Sequence, residues 1–146
     1  MELIDLIPNS KSFRIITTLD IDDESEIPAA FTGRVRRSAD KAFVYVAWYE
    51  DGRLHDPGRH HPAYRRFRGS GAIKYDMHYS HGRLHDPSDG HAAVRGFYAN
   101  GAIHYEEHYK HGLRNDGATG AAAITKWRED GSVRHQLHYL NGQRLR

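Results

Sequence analysis

DGRLHDPGRHHPAYRRFRGSGAIKYDMHYS, residues 51–80, is followed without a gap by HGRLHDPSDGHAAVRGFYANGAIHYEEHYK, residues 81–110, and by HGLRNDGATGAAAITKWREDGSVRHQLHYL, residues 111–140. These stretches are one unit written three times. Gly52, Gly82, Gly112 and Gly142 coincide, as do Gly71, Gly101 and Gly131, and so do Tyr49, Tyr79, Tyr109 and Tyr139. KAFVYVAWYEDG, residues 41–52, ends an earlier, degenerate unit, and NGQRLR, residues 141–146, begins a further one. A fixed period of this length marks a repeat architecture, in which each unit buries its apolar surface against its neighbours. The chain therefore divides into a segment 1–40 and an array 41–146, with full units at 51–80, 81–110 and 111–140 and partial units at both ends.

Two turns recur in each unit. One set is Ser70-Gly71, Asn100-Gly101 and Asp130-Gly131. The other is Asp51-Gly52, His81-Gly82, His111-Gly112 and Asn141-Gly142. Residue-Gly pairs between alternating segments signal two-residue hairpins, because a type I′ turn needs positive φ at both central positions. The expected fold is all-β: an antiparallel meander of repeated hairpins forming an elongated twisted sheet, with a β-rich cap supplied by residues 1–40. High Gly (14) and Tyr (9) suit many short strands joined by tight turns.

Two-residue turns predict the register. Arg65 falls opposite Asp76, Arg95 opposite Glu106 and Thr125 opposite Gln136. Phe67 falls opposite Lys74, Phe97 opposite His104 and Trp127 opposite Arg134. Ala63, Ala93 and Ala123 face His78, His108 and His138. Such pairs are complementary in charge or size, as cross-strand neighbours tend to be. The other face is more apolar, with Tyr64, Met77, Val94, Ile124 and Leu137, and with Ile73, Tyr75, Ile103, Tyr105 and Val133. In residues 42–49 both alternating sets are apolar, Ala42, Val44, Val46, Trp48 and Phe43, Tyr45, Ala47, Tyr49, so both faces should be covered. Phe13–Leu19 and Phe31–Arg37 read as strands of the cap.

Residues 1–26 carry seven acids and two bases, a net of −5, which leaves +7 on the rest of a chain whose formal charge is +2. A basic surface meets acidic protein, nucleic acid or anionic lipid. The acidic run Asp20, Asp22, Asp23, Glu24, Glu26 reads as a solvated loop between strands. The absence of cysteine excludes disulfides and thiolate metal sites. No stretch approaches the roughly 20 apolar residues needed to span a bilayer. The N-terminus lacks the basic and apolar regions of a secretory signal, so a cytoplasmic protein is expected.

GRLHDPSDGHA (82–92), ANGAIHYEEHY (99–109) and HGLRNDGATGAA (111–122) resemble the MORN-like repeats of bacterial antitoxin-like and phage or large-virus proteins. There a segment such as G-x-L-H-R-x-D-G-P-A alternates with N-G-x-I-x-Y. The resemblance covers 41–146. It implies a scaffold that contacts proteins or lipids, not an enzyme. The period departs from the shorter, membrane-linked MORN unit, which favours a protein partner over a lipid.

Histidine is the residue type that most invites chemistry. His78 and His85 face each other across a turn, with Asp86 adjacent, an arrangement that suits zinc. Recurrence of the unit accounts for these histidines without chemistry, and neither metal nor cofactor is expected. Catalysis is not expected either. Arg65–Asp76 and Arg95–Glu106 read as sheet-face ion pairs, and no Gly-rich phosphate loop opens a helix. The expectation is a non-catalytic protein-binding module, a small inhibitor of the antitoxin, immunity or phage anti-defence kind. Its candidate contact residues are Arg65, Phe67, His78, His85, Arg95, Phe97, His108, Trp127, Arg134 and His138. The alternative is single-stranded nucleic acid or an anionic membrane, since Phe67, Phe97 and Trp127 would lie beside Lys74, His104 and Arg134. The C-terminal edge strand is a candidate homodimer contact.

Overall fold

A computed structural model describes residues 2–8, 13–58 and 60–146, with side chains from residue 17 onward. The fold is all-β. One eleven-stranded sheet runs in the order Glu2–Pro8, Phe13–Ile21, Gly33–Ala39, Ala42–Glu50, Tyr64–Phe67, Ile73–Met77, Val94–Phe97, Ile103–Glu107, Ile124–Trp127, Val133–Leu137, with Arg53–Leu54 also paired to Ala42–Glu50. Among the described residues every pairing is antiparallel except that of Phe13–Ile21 with Gly33–Ala39, which is parallel. Between those two strands the chain makes a 3-10 turn at Glu24–Glu26, capped by Asp23. Three two-stranded ribbons leave the main sheet, Tyr79–Ser80 with Arg83–Leu84, Tyr109–Lys110 with Leu113–Arg114, and Tyr139–Leu140 with Gln143–Arg144. No helix among the described residues is long and apolar enough to cross a membrane.

The turns 51–52, 81–82, 111–112 and 141–142 are of the expected kind. Asp51, His81, His111 and Asn141 have φ of 48–51°, and the following glycines 77–84°. They stack in a column. The amides of Gly82, Gly112 and Gly142 donate to the carbonyls of Leu54, Leu84 and Arg114 one unit earlier. The amides of His81 and His111 donate to Nδ1 of His55 and His85, and that of Asn141 to the side-chain oxygen of Asn115. The first turn has no earlier unit, and the cap supplies the same bonds. Gly52 donates to the Phe31 carbonyl and Asp51 to the Thr32 hydroxyl. Phe31-Thr32 thus stands in for Leu54-His55. The approach is close enough that a Cβ on Gly52 would lie 2.0 Å from the Ala29 carbonyl oxygen.

A further tight turn, Asp40-Lys41, joins Gly33–Ala39 to Ala42–Glu50 with φ of 51° and 64°. Nothing in the repeat pattern signals it, because Lys stands where the other turns have Gly. Left-handed backbone costs a residue with a Cβ roughly 1 kcal/mol. Lys41→Gly is therefore expected to raise stability by about 0.5–1 kcal/mol in chemical denaturation. Unchanged or lowered stability would contradict that account of the turn.

The other turn set departs from expectation. Gly71 has φ +88°, but Ser70 does not share the left-handed region. Arg68 donates to the Ala72 carbonyl and Gly71 to the Arg68 carbonyl, which makes a three-residue loop closed by a left-handed glycine. Units two and three repeat it at Tyr98–Ala102 and Arg128–Ser132. The extra residue is absorbed by a bulge. Arg65↔Asp76, Arg95↔Glu106 and Thr125↔Gln136 pair as expected, but Phe67 pairs with Ile73, Phe97 with Ile103 and Trp127 with Val133. Lys74, His104 and Arg134 are displaced from opposite the rings. Ile73, Ile103 and Val133 consequently leave the tyrosine face for the ring face, since cross-strand partners share a face.

A second bulge, between Arg37 and Ser38, acts on Ala42–Glu50. Val44 packs on the core beside Tyr45, while Phe43 is 46% exposed and its ring meets Phe67 at 6.5 Å. The expected alternation of that strand is therefore broken at Phe43. The core lies under the cap and holds Ile21, Phe31, Val35, Tyr45 and Ala47. The array beyond it covers Ala63, Ala92, Ala93 and Ala123 fully and also buries Val94, Ile124, His78 and His108. Hydrogen bonds and ring stacking add to this thin apolar layer.

Candidate functional site

The register carries one polar row across nine strands: Asp20, Arg36, Val46, Arg65, Asp76, Arg95, Glu106, Thr125, Gln136. Arg36 donates from Nε and Nη2 to both Asp20 oxygens at 2.8 and 3.0 Å. Arg65 grips Asp76 in the same two-point way, at 2.7 and 3.0 Å. Each pair favours its charged forms. The hydrogen bond to Arg36 lowers the Asp20 pKa, and the bond to Asp76 raises that of Arg65. Forked contacts of this kind fix side-chain orientation as well as charge. At the far end the row becomes neutral, with Gln136 donating to Thr125 at 3.5 Å.

Arg95, at the centre of the row, is different. Its neighbour Asp76 is already held by Arg65, the expected ion pair with Glu106 on its other side does not form although the two stand opposite in register, and its buried Nε has no hydrogen-bond partner. Its guanidinium lies 5.6 Å from the centre of the Phe97 ring. Beside the polar row runs an apolar one, Phe43, Phe67, Ile73, Phe97, Ile103, Trp127 and Val133, set by the bulged register. Equivalent rings in successive units are two strands, roughly 10 Å, apart. Clasps between units hold the ring-bearing strands. Arg68 donates to the Phe97 carbonyl and the Tyr98 hydroxyl to the Trp127 carbonyl, each at 2.8 Å.

The histidines belong to a separate network. In each unit one aspartate, Asp56, Asp86 or Asp116, ties the unit together. Asp86 Oδ1 accepts from the amides of Ala93 and Tyr109, at 2.8 and 2.9 Å, and Oδ2 accepts from His108 Nδ1 at 2.6 Å. Asp56 does the same for Ala63, Tyr79 and His78, and Asp116 for Ala123, Tyr139 and His138. Burial opposes the charged form of His108, but the hydrogen bond and charge of Asp86 outweigh it and the pKa is raised. Burial likewise opposes charge on Asp116, and the bonds from His138, Tyr139 and Ala123 outweigh it and lower its pKa. His85 is neutralised instead: burial, with His111 beside it, lowers its pKa, consistent with an Nδ1 that accepts the His111 amide.

Arg65, Phe67, Arg95, Phe97 and Trp127 therefore share one face, as expected. Arg134 sits at a bulge on the exposed strand Val133–Leu137, away from Trp127's cross-strand position. His78 and His108 are buried, 6% and 5% exposed, and are spent on the aspartates, so they do not present a contact surface. His138 makes the same bond but is half exposed. Among the described residues His78, His85 and Asp86 do not bring their ligand atoms together: His78 Nδ1 is turned to Asp56, and His85 Nδ1 accepts the His111 amide. The aspartates themselves were missed in the sequence, although their recurrence at the same unit position was the available signal. The acidic run is used locally, Asp20 on Arg36 and Glu26 on the amides of Asp22 and Asp23. Comparison with family models, with curated proteins and with solved structures finds no match.

Proposed function

We propose that this chain is a non-catalytic recognition protein that binds a protein partner across the two-row face and acts as a small inhibitor. The observation that carries this reading is Arg95, a half-buried cation that stands between Asp76 and Glu106 yet makes no ion pair with a carboxylate among the described residues, and that stacks on Phe97 at the middle of the face. Arginine and large aromatic side chains at the centre of a patch are the residues that dominate protein interfaces. The flanking Arg65–Asp76 pair and the ring row supply a rigid, already ordered surround, which lowers the entropy lost on binding. A partner offering a carboxylate or backbone carbonyls to Arg95, and an apolar edge to Phe67, Phe97 and Trp127, matches this surface. The resemblance of the repeat to MORN-like arrays points to the same kind of role. Nucleic-acid binding has less support, because Ile73, Ile103 and Val133 rather than cations stand opposite the rings.

The test is affinity purification of the tagged chain from the source lysate, with mass spectrometry. A stoichiometric protein is expected with the wild type. Arg95→Ala is expected to weaken it by about 2 kcal/mol, roughly thirtyfold. Capture of nucleic acid alone, of nothing, or of a protein indifferent to Arg95→Ala would overturn this reading. Capture of a second copy would instead favour pairing through the strand Val133–Leu137.

A further inference from the structure

We propose that His60, Asp89 and His91 form a binding site for a zinc-class divalent metal ion where the loops of units one and two meet. His60 Nδ1 meets Asp89 Oδ2, and His91 Nδ1 meets the same oxygen at 2.8 Å. The His91 amide donates to the other carboxylate oxygen at 3.0 Å, which fixes the carboxylate plane. One ligand atom from each residue lies within 4.8 Å of the others. Two imidazoles and a carboxylate match the ligand set of zinc and its neighbours in the first transition row. Both rings are more than half exposed, so an ion held here keeps open positions for water or for a group from a partner.

The repeat does not account for this cluster. The Asp–His ties described above recur in every unit, but these residues do not. Units one and three carry Arg59 and Thr119 where unit two has Asp89, and His61 and Ala121 where it has His91. At the third position the contrast is conformational. Gly90 and Gly120 adopt φ of 84° and 80°, the left-handed region that glycine enters freely. Unit one places His60 there at φ 68°. A side chain held in that region against its own preference, with its ring brought onto a carboxylate of the next unit, is the kind of local strain found at ligand clamps. Metal binding displaces the Nδ1 proton that each imidazole now gives to Asp89: each ring ends neutral with its proton on Nε2, any surplus proton passes to solvent, and the Nδ1 lone pair turns to the ion.

Calorimetric titration of the full chain with zinc chloride tests the proposal. A single ion per chain is expected. His60→Gly restores the residue that the other units carry, so its thermal unfolding should match or exceed that of the wild type. Its zinc affinity should nonetheless fall at least about tenfold, as when metal-site support is removed. His91→Gln should weaken binding similarly, whereas His61→Ala should leave it unchanged. A wild-type chain that takes up no zinc, or a folded His60→Gly variant that binds it as tightly, would overturn the proposal.

Discussion

Replacing Asp86 by alanine is expected to remove about 3–5 kcal/mol of folding stability, the range for breaking a buried hydrogen-bonded charge pair. The carboxylate accepts three donors at once: the Ala93 and Tyr109 amides and His108 Nδ1. Ala93 is fully covered and His108 is 5% exposed, so water cannot readily replace the lost acceptor. An unsatisfied buried donor costs far more than a made hydrogen bond returns. Asp116→Ala provides the comparison. It removes the same three bonds, but His138 is half exposed and can turn to water. The expected loss there is about 2 kcal/mol. Urea unfolding of both variants measures the difference, and equal losses would show that burial is not what gives Asp86 its weight.

The same variants carry a pH signature. The folded pKa of His108 lies above its ordinary value of 6.5. Its contribution is therefore complete below that value and fades as pH rises through the raised folded pKa. Asp116 has the opposite sign. Its folded pKa lies below 3.8, so its contribution is present above that value and fades as pH falls through the lowered one. Asp86→Ala should flatten the alkaline side of the stability profile, and Asp116→Ala the acid side.

The second large effect is expected at Tyr45. This residue is 2% exposed, and its ring stacks on Tyr64 at 5.1 Å, which in turn lies 6.0 Å from Tyr75. Burial raises its hydroxyl pKa to about 12. The tyrosine stack is where the core of the cap continues into the first unit. Tyr45→Ala is expected to cost about 3–5 kcal/mol, as large-to-small changes of buried rings do. Tyr45→Phe keeps the packing and should cost much less. Because each unit contacts mainly its neighbours, the alanine variant should also split the unfolding curve, with the cap leaving before the units. A single transition shifted by less than about 1 kcal/mol would contradict this role.

The architecture was legible where local chemistry had one reading. Asp51-Gly52, His81-Gly82, His111-Gly112 and Asn141-Gly142 marked the type I′ turns, and Arg65, Asp76, Arg95 and Glu106 marked the central register. Ser70-Gly71, Asn100-Gly101 and Asp130-Gly131 misled, because a glycine that closes a three-residue loop looks like one that ends a two-residue turn. That one residue moved Ile73, Ile103 and Val133 to the ring face. The turn at Asp40-Lys41 carried no glycine, and the parallel pairing within the cap needed the whole chain in place. Arg65, Arg95 and their rings were found because they alternate along strands. Asp56, Asp86 and Asp116 lie in loops, where two of the three bonds each makes reach residues 22 and 23 positions away, so no short-range pattern announced them. His60 was hidden for the opposite reason, since it breaks a pattern at a position the other units fill with glycine.

The column of turns gives the molecule a direction. Every turn amide in it donates to a group that lies earlier in the chain, beginning with the Phe31 carbonyl and the Thr32 hydroxyl. The cap is in that sense a template. During synthesis, each newly emerging turn meets its acceptors already in place on the unit before it, and no turn in the column has to wait for a later segment to receive it.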